Sequence, residues 1–233
     1  MSDETEVNDD SGEVGEELSI LMRAYFANSH LEAAYHFRDK AQEIEDAHSG
    51  LPTYNPIHRG YVVNAVFSAF AFVEASINEV LADAAEVEDS TRLSSLDSAV
   101  VGSLAELWRI GGEKFDTLVK YQLALLAAKQ PMFDRSRLPY QDVELLKQLR
   151  NLVVHAKPET SEIGIEHKLL KKFRNKFPPS KLAHGNTNPY FPDHCLGAGC
   201  AAWAVQAALA FADEFYKRIG VATYYSRPNR SGE

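Results

Sequence analysis

The chain has 233 residues, 45% of them hydrophobic, with ordinary glycine and proline contents. That suits one sizeable globular core and excludes a collagen-like, fibrous or wholly disordered chain. The net charge of −9 is unevenly placed: residues 1–17 hold eight acids and no Lys or Arg, which leaves 25 acids against 24 bases elsewhere. The body is close to neutral, so the overall acidity does not exclude a polyanionic partner.

Two cysteines occur, Cys195 and Cys200, and neither a hydrophobic opening segment nor a run of eighteen apolar residues is present. These features lead to the expectation of a cytosolic, reducing setting with no membrane contact. Residues 1–15 are acidic, polar and glycine-containing, and read as a disordered tail. Residues 16–225 read as one helical domain, and residues 226–233 as a frayed end.

In chain order, a helix is predicted from about Glu16 through Leu18, Leu21, Met22 and Tyr25. Either a second begins at Ser29-His-Leu-Glu32, which has capping-box spacing, and runs to about Ala47, or the two are one long helix with a weak point at Asn28. The stretch from Ser49 to Pro56 is dense in turn residues and reads as a loop. Residues 60–86 form the most apolar helix; its nearly all-round apolar surface predicts burial against several neighbours. Glu74 and Asn78 interrupt it on one face, four residues apart. A polar linker to Asp97 follows, then a helix over Ser98–Ile110 that stops at Gly111-Gly112. The next helix spans Lys114–Lys129, and a loop covers Pro131–Pro139.

Tyr140–Pro158 reads as one amphipathic helix. Val143, Leu146, Leu149, Val153 and Val154 make its stripe, Asp142 is placed to cap it, and Pro158 forbids continuation. A basic helix over Ile165–Lys176, a long polar loop and an Ala-rich helix over Cys195–Ile219 complete the chain. No alternating strand pattern of useful length appears. The prediction is an all-α protein: an up-down four-helix core with additional helices.

Arg150, Asn151 and His155 concentrate a fixed cation, an amide and a titratable imidazole near one helix terminus. Arg150-Asn151-Leu-Val-Val-His155 resembles the R-N-x-x-x-H signature of the HEPN superfamily, many of whose members are ribonucleases. Phe72-Val-Glu-Ala-Ser-Ile-Asn78 resembles the acidic-residue helix that precedes the motif helix in that family. Arg23-x6-His30 fits a looser version of the spacing, but lacks the following Asn.

The resemblance implies a HEPN-like bundle over about residues 60–220. It also implies a metal-independent endoribonuclease, without cofactor, that cleaves single-stranded RNA or tRNA by 2′-OH attack, as in toxins and antiphage effectors. In that mechanism Arg150 binds the scissile phosphate with a fork of donors. His155 moves protons, since imidazole titrates nearest neutral pH. Asn151 holds the geometry, with Glu74 behind Arg150 and Asn78 beside it. Family members build a composite site from two motif helices, so a homodimer is implied, with an antitoxin or regulatory protein as a further partner.

Two other readings stand beside this one. The same dimer would serve as a non-catalytic binding module for RNA, a nucleotide or a protein. Alternatively Arg150 simply pairs with Glu74 or Asp142, and His155 caps a helix end. Lys168, Lys171, Lys172, Arg174, Lys176 and Lys181 form the most basic segment, suited to phosphate contacts. Phe173 and Phe177 between them either stack on bases or point into the core. Cys195-x4-Cys200 has the wrong spacing for a zinc knuckle and reads as two buried thiols on a helix.

Overall fold

The computed structural model describes residues 22–48, 50–88, 90–156 and 168–225. The predicted acidic tail, most of the predicted first helix, Pro158 and the C-terminal end lie outside them. Among the described residues there is no strand. Within these residues seven α-helices form a packed bundle: α1 (Ala27–Asp46), α2 (Pro56–Glu86), α3 (Ser98–Arg109), α4 (Thr117–Ala127), α5 (Tyr140–Val154), α6 (Lys168–Phe173) and α7 (Ala198–Ile219).

Local chemistry sets most helix ends. Asn55 caps α2 by accepting from the His58 N–H at 3.0 Å, and Pro56 takes the first helical position, where its missing N–H is no loss. The helix therefore starts four residues earlier than its apolar run. Asp97 and Asp116 cap α3 and α4 in the same way. Gly111, at φ 97°, takes the left-handed conformation that ends the α3 segment.

α1 departs from prediction at its start. Residues 22–26 are not helical, and no side chain of its own first turn caps it. Instead Glu79 of α2 accepts from the Phe26 and Ala27 N–H groups at 2.8 and 2.7 Å. Asp142 does not cap α5 either, whose N-cap is Pro139; it accepts an ion pair from Lys176 at 2.6 Å.

α2 is the central helix and packs against α1, α3, α4, α5 and α7. It is long and apolar enough to cross a membrane, and here that surface is turned onto neighbouring helices, half of it buried inside the fold. Tyr121 of α4 is fully buried; its hydroxyl donates to the Val73 carbonyl at 2.7 Å, and its ring meets Phe211 and Phe215 of α7 edge-on. Phe133 and Tyr140 extend this aromatic cluster. Cys195 and Cys200 are both buried and free, and the hydrogen bond between them together with burial pushes the Cys200 thiol well up.

At one end of the bundle Glu45 is 3% exposed and gathers four donors. It accepts from Ala198 N–H at 2.8 Å, Ser180 Oγ at 3.0 Å and Lys181 N–H at 3.2 Å, and His58 Nε2 stands 3.1 Å away. A carboxylate from α1 thus caps α7. Gly197 is required there, because a Cβ would lie 2.6 Å from Ser180 Cα and 2.8 Å from the carboxylate. Burial pushes the Glu45 carboxyl upward, but the four donors outweigh it and hold it below the usual carboxylate range.

A group held low stabilises the fold above the ordinary carboxylate pKa of ~4.3, and that stability is lost as pH falls through the lower folded value. Glu45→Ala is expected to lower the unfolding free energy by about 3–5 kcal/mol, because the donors are left buried and unpaired. Urea denaturation measures this. The wild type should also lose more stability than Glu45→Gln between pH 5 and pH 3 or so.

Candidate active site

α5 lies against α2 and α7. Val143, Leu146 and Leu149 face inward and are fully buried, which fixes the rotation of the helix and sends Arg150 to its edge. The Arg150 guanidinium lies 4.8 Å over the Phe70 ring, and its Nη2 is 4.0 Å from Glu74 Oε2. The two side chains keep 30% and 43% of their exposure, so the pair meets solvent. The cation is therefore held from behind by a ring and a carboxylate while its outer donors remain open.

α5 ends at Val154, before Pro158 is reached, and His155 is its C-cap residue. The His155 N–H donates to the Asn151 carbonyl at 3.0 Å, and the imidazole is exposed. Asn151, one turn earlier, is partly exposed. Arg150, Asn151 and His155 thus share the last turn of α5 and all reach solvent. Arg150 pairs with Glu74, and Asp142, the other partner considered for it, is occupied by Lys176 at the opposite end of the helix. Arg23 of the looser motif is committed elsewhere: it bridges buried Asp83 at 3.0 Å and Glu86 at 2.9 Å.

Asn78 sits one turn beyond Glu74, but its Oδ1 accepts from Lys120 Nζ at 2.8 Å. Lys120 also donates to the Glu113 carbonyl at 2.9 Å and is 1% exposed. Burial pushes its ammonium below the ordinary value, against the pull of Glu74, Glu113 and Asp116. Glu74 therefore attracts two cations, one open and one enclosed. Sequence reasoning missed Lys120 and the Phe70 shelf. The signal for Lys120 was a lone charge between Leu118 and Tyr121 on the buried stripe of α4.

The basic segment divides. Lys171 and Lys172 are exposed, and the Arg174 guanidinium lies 4.3 Å over the Tyr190 ring. Lys176 pairs with Asp142, and Lys181 with Asp46 at 2.7 Å. The side chain of Lys168 lies outside the described residues. Phe173 and Phe177 do not face solvent; both are buried against Trp203, at ring distances of 5.7 and 5.4 Å, so base stacking on them is ruled out. Asp142 and His155 lie at opposite ends of α5, about 20 Å apart at ~1.5 Å per residue. The Lys176 end of the basic segment is therefore remote from the imidazole.

Among the described residues no group of three His, Cys, Asp or Glu side chains is placed to hold a metal ion. Comparison with protein-family models, with curated proteins and with solved structures finds no match for this chain.

An exposed ion pair contributes roughly 0–1 kcal/mol, and a cation over a ring about as much again. Arg150→Ala and Glu74→Gln should each cost less than about 2 kcal/mol in thermal or urea unfolding. A larger loss would mark Arg150 as part of the scaffold.

Proposed function

We propose that the chain is a metal-independent endoribonuclease of HEPN type. The observation that carries this reading is the solvent access of Arg150 and His155 at one end of α5, with Glu74 standing 4.0 Å behind the guanidinium. The two side chains supply what RNA cleavage needs. The 2′-oxygen attacks the adjacent phosphorus, the bond to the 5′-oxygen breaks, and a 2′,3′-cyclic phosphate and a 5′-hydroxyl result. A base takes the 2′-OH proton and an acid protonates the leaving oxygen. Arg150 holds the non-bridging oxygens as their charge rises.

One α5 terminus supplies one imidazole, whereas the reaction moves two protons. A homodimer that brings two α5 ends together answers that shortage, with His155 of each copy taking one transfer; two-fold dimers are also the commonest soluble assembly. Asn151, on the same face as His155, orients the ring or the phosphate. A second reading, a dimeric module that binds RNA, a nucleotide or a protein without cutting, is favoured by the remoteness of Lys176 from His155.

Purified protein incubated with single-stranded RNA or tRNA in EDTA should yield 2′,3′-cyclic phosphate ends. His155→Ala and Arg150→Ala should slow cleavage by about 10²–10⁴-fold. Cleavage at the same rate in both variants would overturn the reading. Cleavage absent from the wild type, with binding that survives His155→Ala, would leave the non-cutting module.

A further inference from the structure

At the Glu45 end of the bundle, far from the α5 terminus, lies a cleft of about 230 Å³ that the proposed reaction does not use. Its walls come from the start of α2 and from the loop between α6 and α7. Tyr54 stands at the rim, 68% exposed, with the Arg59 guanidinium stacked 4.8 Å from its ring centre. Arg59 is ion-paired to Asp193, which also accepts from the Asn188 side-chain amide. Asn186 and Asn55 complete the polar lining, and buried His58 closes the floor beside Glu45.

We infer that this cleft takes a single unstacked nucleobase. The size is the first argument: it is below the ~300–1,000 Å³ usual for drug-sized ligands, and fits one flat ring system. The platform is the second. A guanidinium layered on an exposed tyrosine ring is the flat surface on which bases stack. The third is the hydrogen-bonding set. Asn55 Oδ1 is used by the His58 N–H at 3.0 Å, and Asn186 Oδ1 by the Asn188 N–H at 3.1 Å. Each amide is thereby fixed with its NH₂ end left as donor, while Asp193 keeps further lone pairs as acceptor. Donors from both walls and an acceptor, beside a stacking surface, match the edge of a base.

The surroundings fit a strand rather than a free base alone. Ser180, Leu182 and Ala183 line the cleft, so it adjoins the end of the basic segment at Lys181. Gly60, Val63, Asn64, Phe67 and Ala71 stay partly or fully exposed along α2 between Arg59 and Glu74. At 3.6 residues per turn, Arg59 and Glu74 are rotated only about 60° from one another, so the two side chains leave α2 on similar sides. This inference rests on the ribonuclease reading for its choice of strand, not for the pocket itself.

The experiment uses the full chain carrying His155→Ala, so that RNA is held without being consumed. Fluorescent single-stranded RNA octamers of the four homopolymers are titrated by anisotropy, and the four 5′-mononucleotides compete. The expected result is a base preference of about tenfold or more among the octamers. Tyr54→Ala should weaken the preferred octamer about tenfold, and Asn186→Ala should erase the preference. Competition by the matching mononucleotide at millimolar concentration would assign the pocket to free nucleotides as well as to RNA; its failure would confine the pocket to a base within a strand. Unchanged affinity and preference in both variants would overturn the inference; Tyr54 is exposed and Asn186 half-buried in a loop, and a thermal melt of each variant checks that the fold is kept. Because nothing is cut in this assay, its outcome is independent of whether the wild type cleaves.

Discussion

A carboxylate without water has to find its donors inside the protein, and Glu45 finds them on three other segments at once. It belongs to α1, yet it satisfies the first N–H of α7 and the Ser180–Lys181 turn, and it stands 3.1 Å from the buried imidazole of α2. The register of the α1–α2 hairpin, the landing of the long loop and the start of the last helix are thus tied to one side chain. The opposite end of the hairpin uses the same device, with Glu79 capping α1 and fully buried Asp83 bridged by Arg92 and Arg23. Each charge is acceptable in the interior only because it is fully surrounded by donors.

The proposed chemistry depends on a different electrostatic arrangement, in which the partner is incomplete. Glu74 lies 4.0 Å from Arg150, too far for a tight pair, and it also attracts the enclosed Lys120 ammonium. A guanidinium locked bidentate onto a carboxylate has spent one of its donor forks and has fewer N–H groups to offer a phosphate. One that rests on Phe70, with an acid at a slight distance, keeps its orientation and its outer fork.

Part of the chain's punctuation was readable because it acts locally. Asp97 and Gly111 bound the α3 segment through atoms a few residues away, and the apolar length of α2 announced a central helix, whereas Asn55-Pro56 starts α2 inside the predicted loop and Asp116 starts α4 inside a predicted helix. What acts across the fold was not readable. Nothing near Phe26 shows that Glu79 caps it, and nothing near Asn78 shows that Lys120 claims it. The pairing of Arg150 with Glu74 was legible through a resemblance between two helices, not through spacing. The two phenylalanines of the basic segment illustrate the limit in the other direction. Between lysines they pass equally for a stacking surface or a core contact, and Trp203, some thirty residues later, decides the matter.

The cleft and the arginine site are attached to the same unbroken helix. About 22 Å separates Arg59 from Glu74 along α2 at ~1.5 Å per residue, and no hinge or loop intervenes to vary it. A strand gripped at the first place and broken near the second would be cut at a constant offset from the gripped base, as a jig fixes where a saw falls. Inserting or deleting a turn of α2 would be the way to reset that offset.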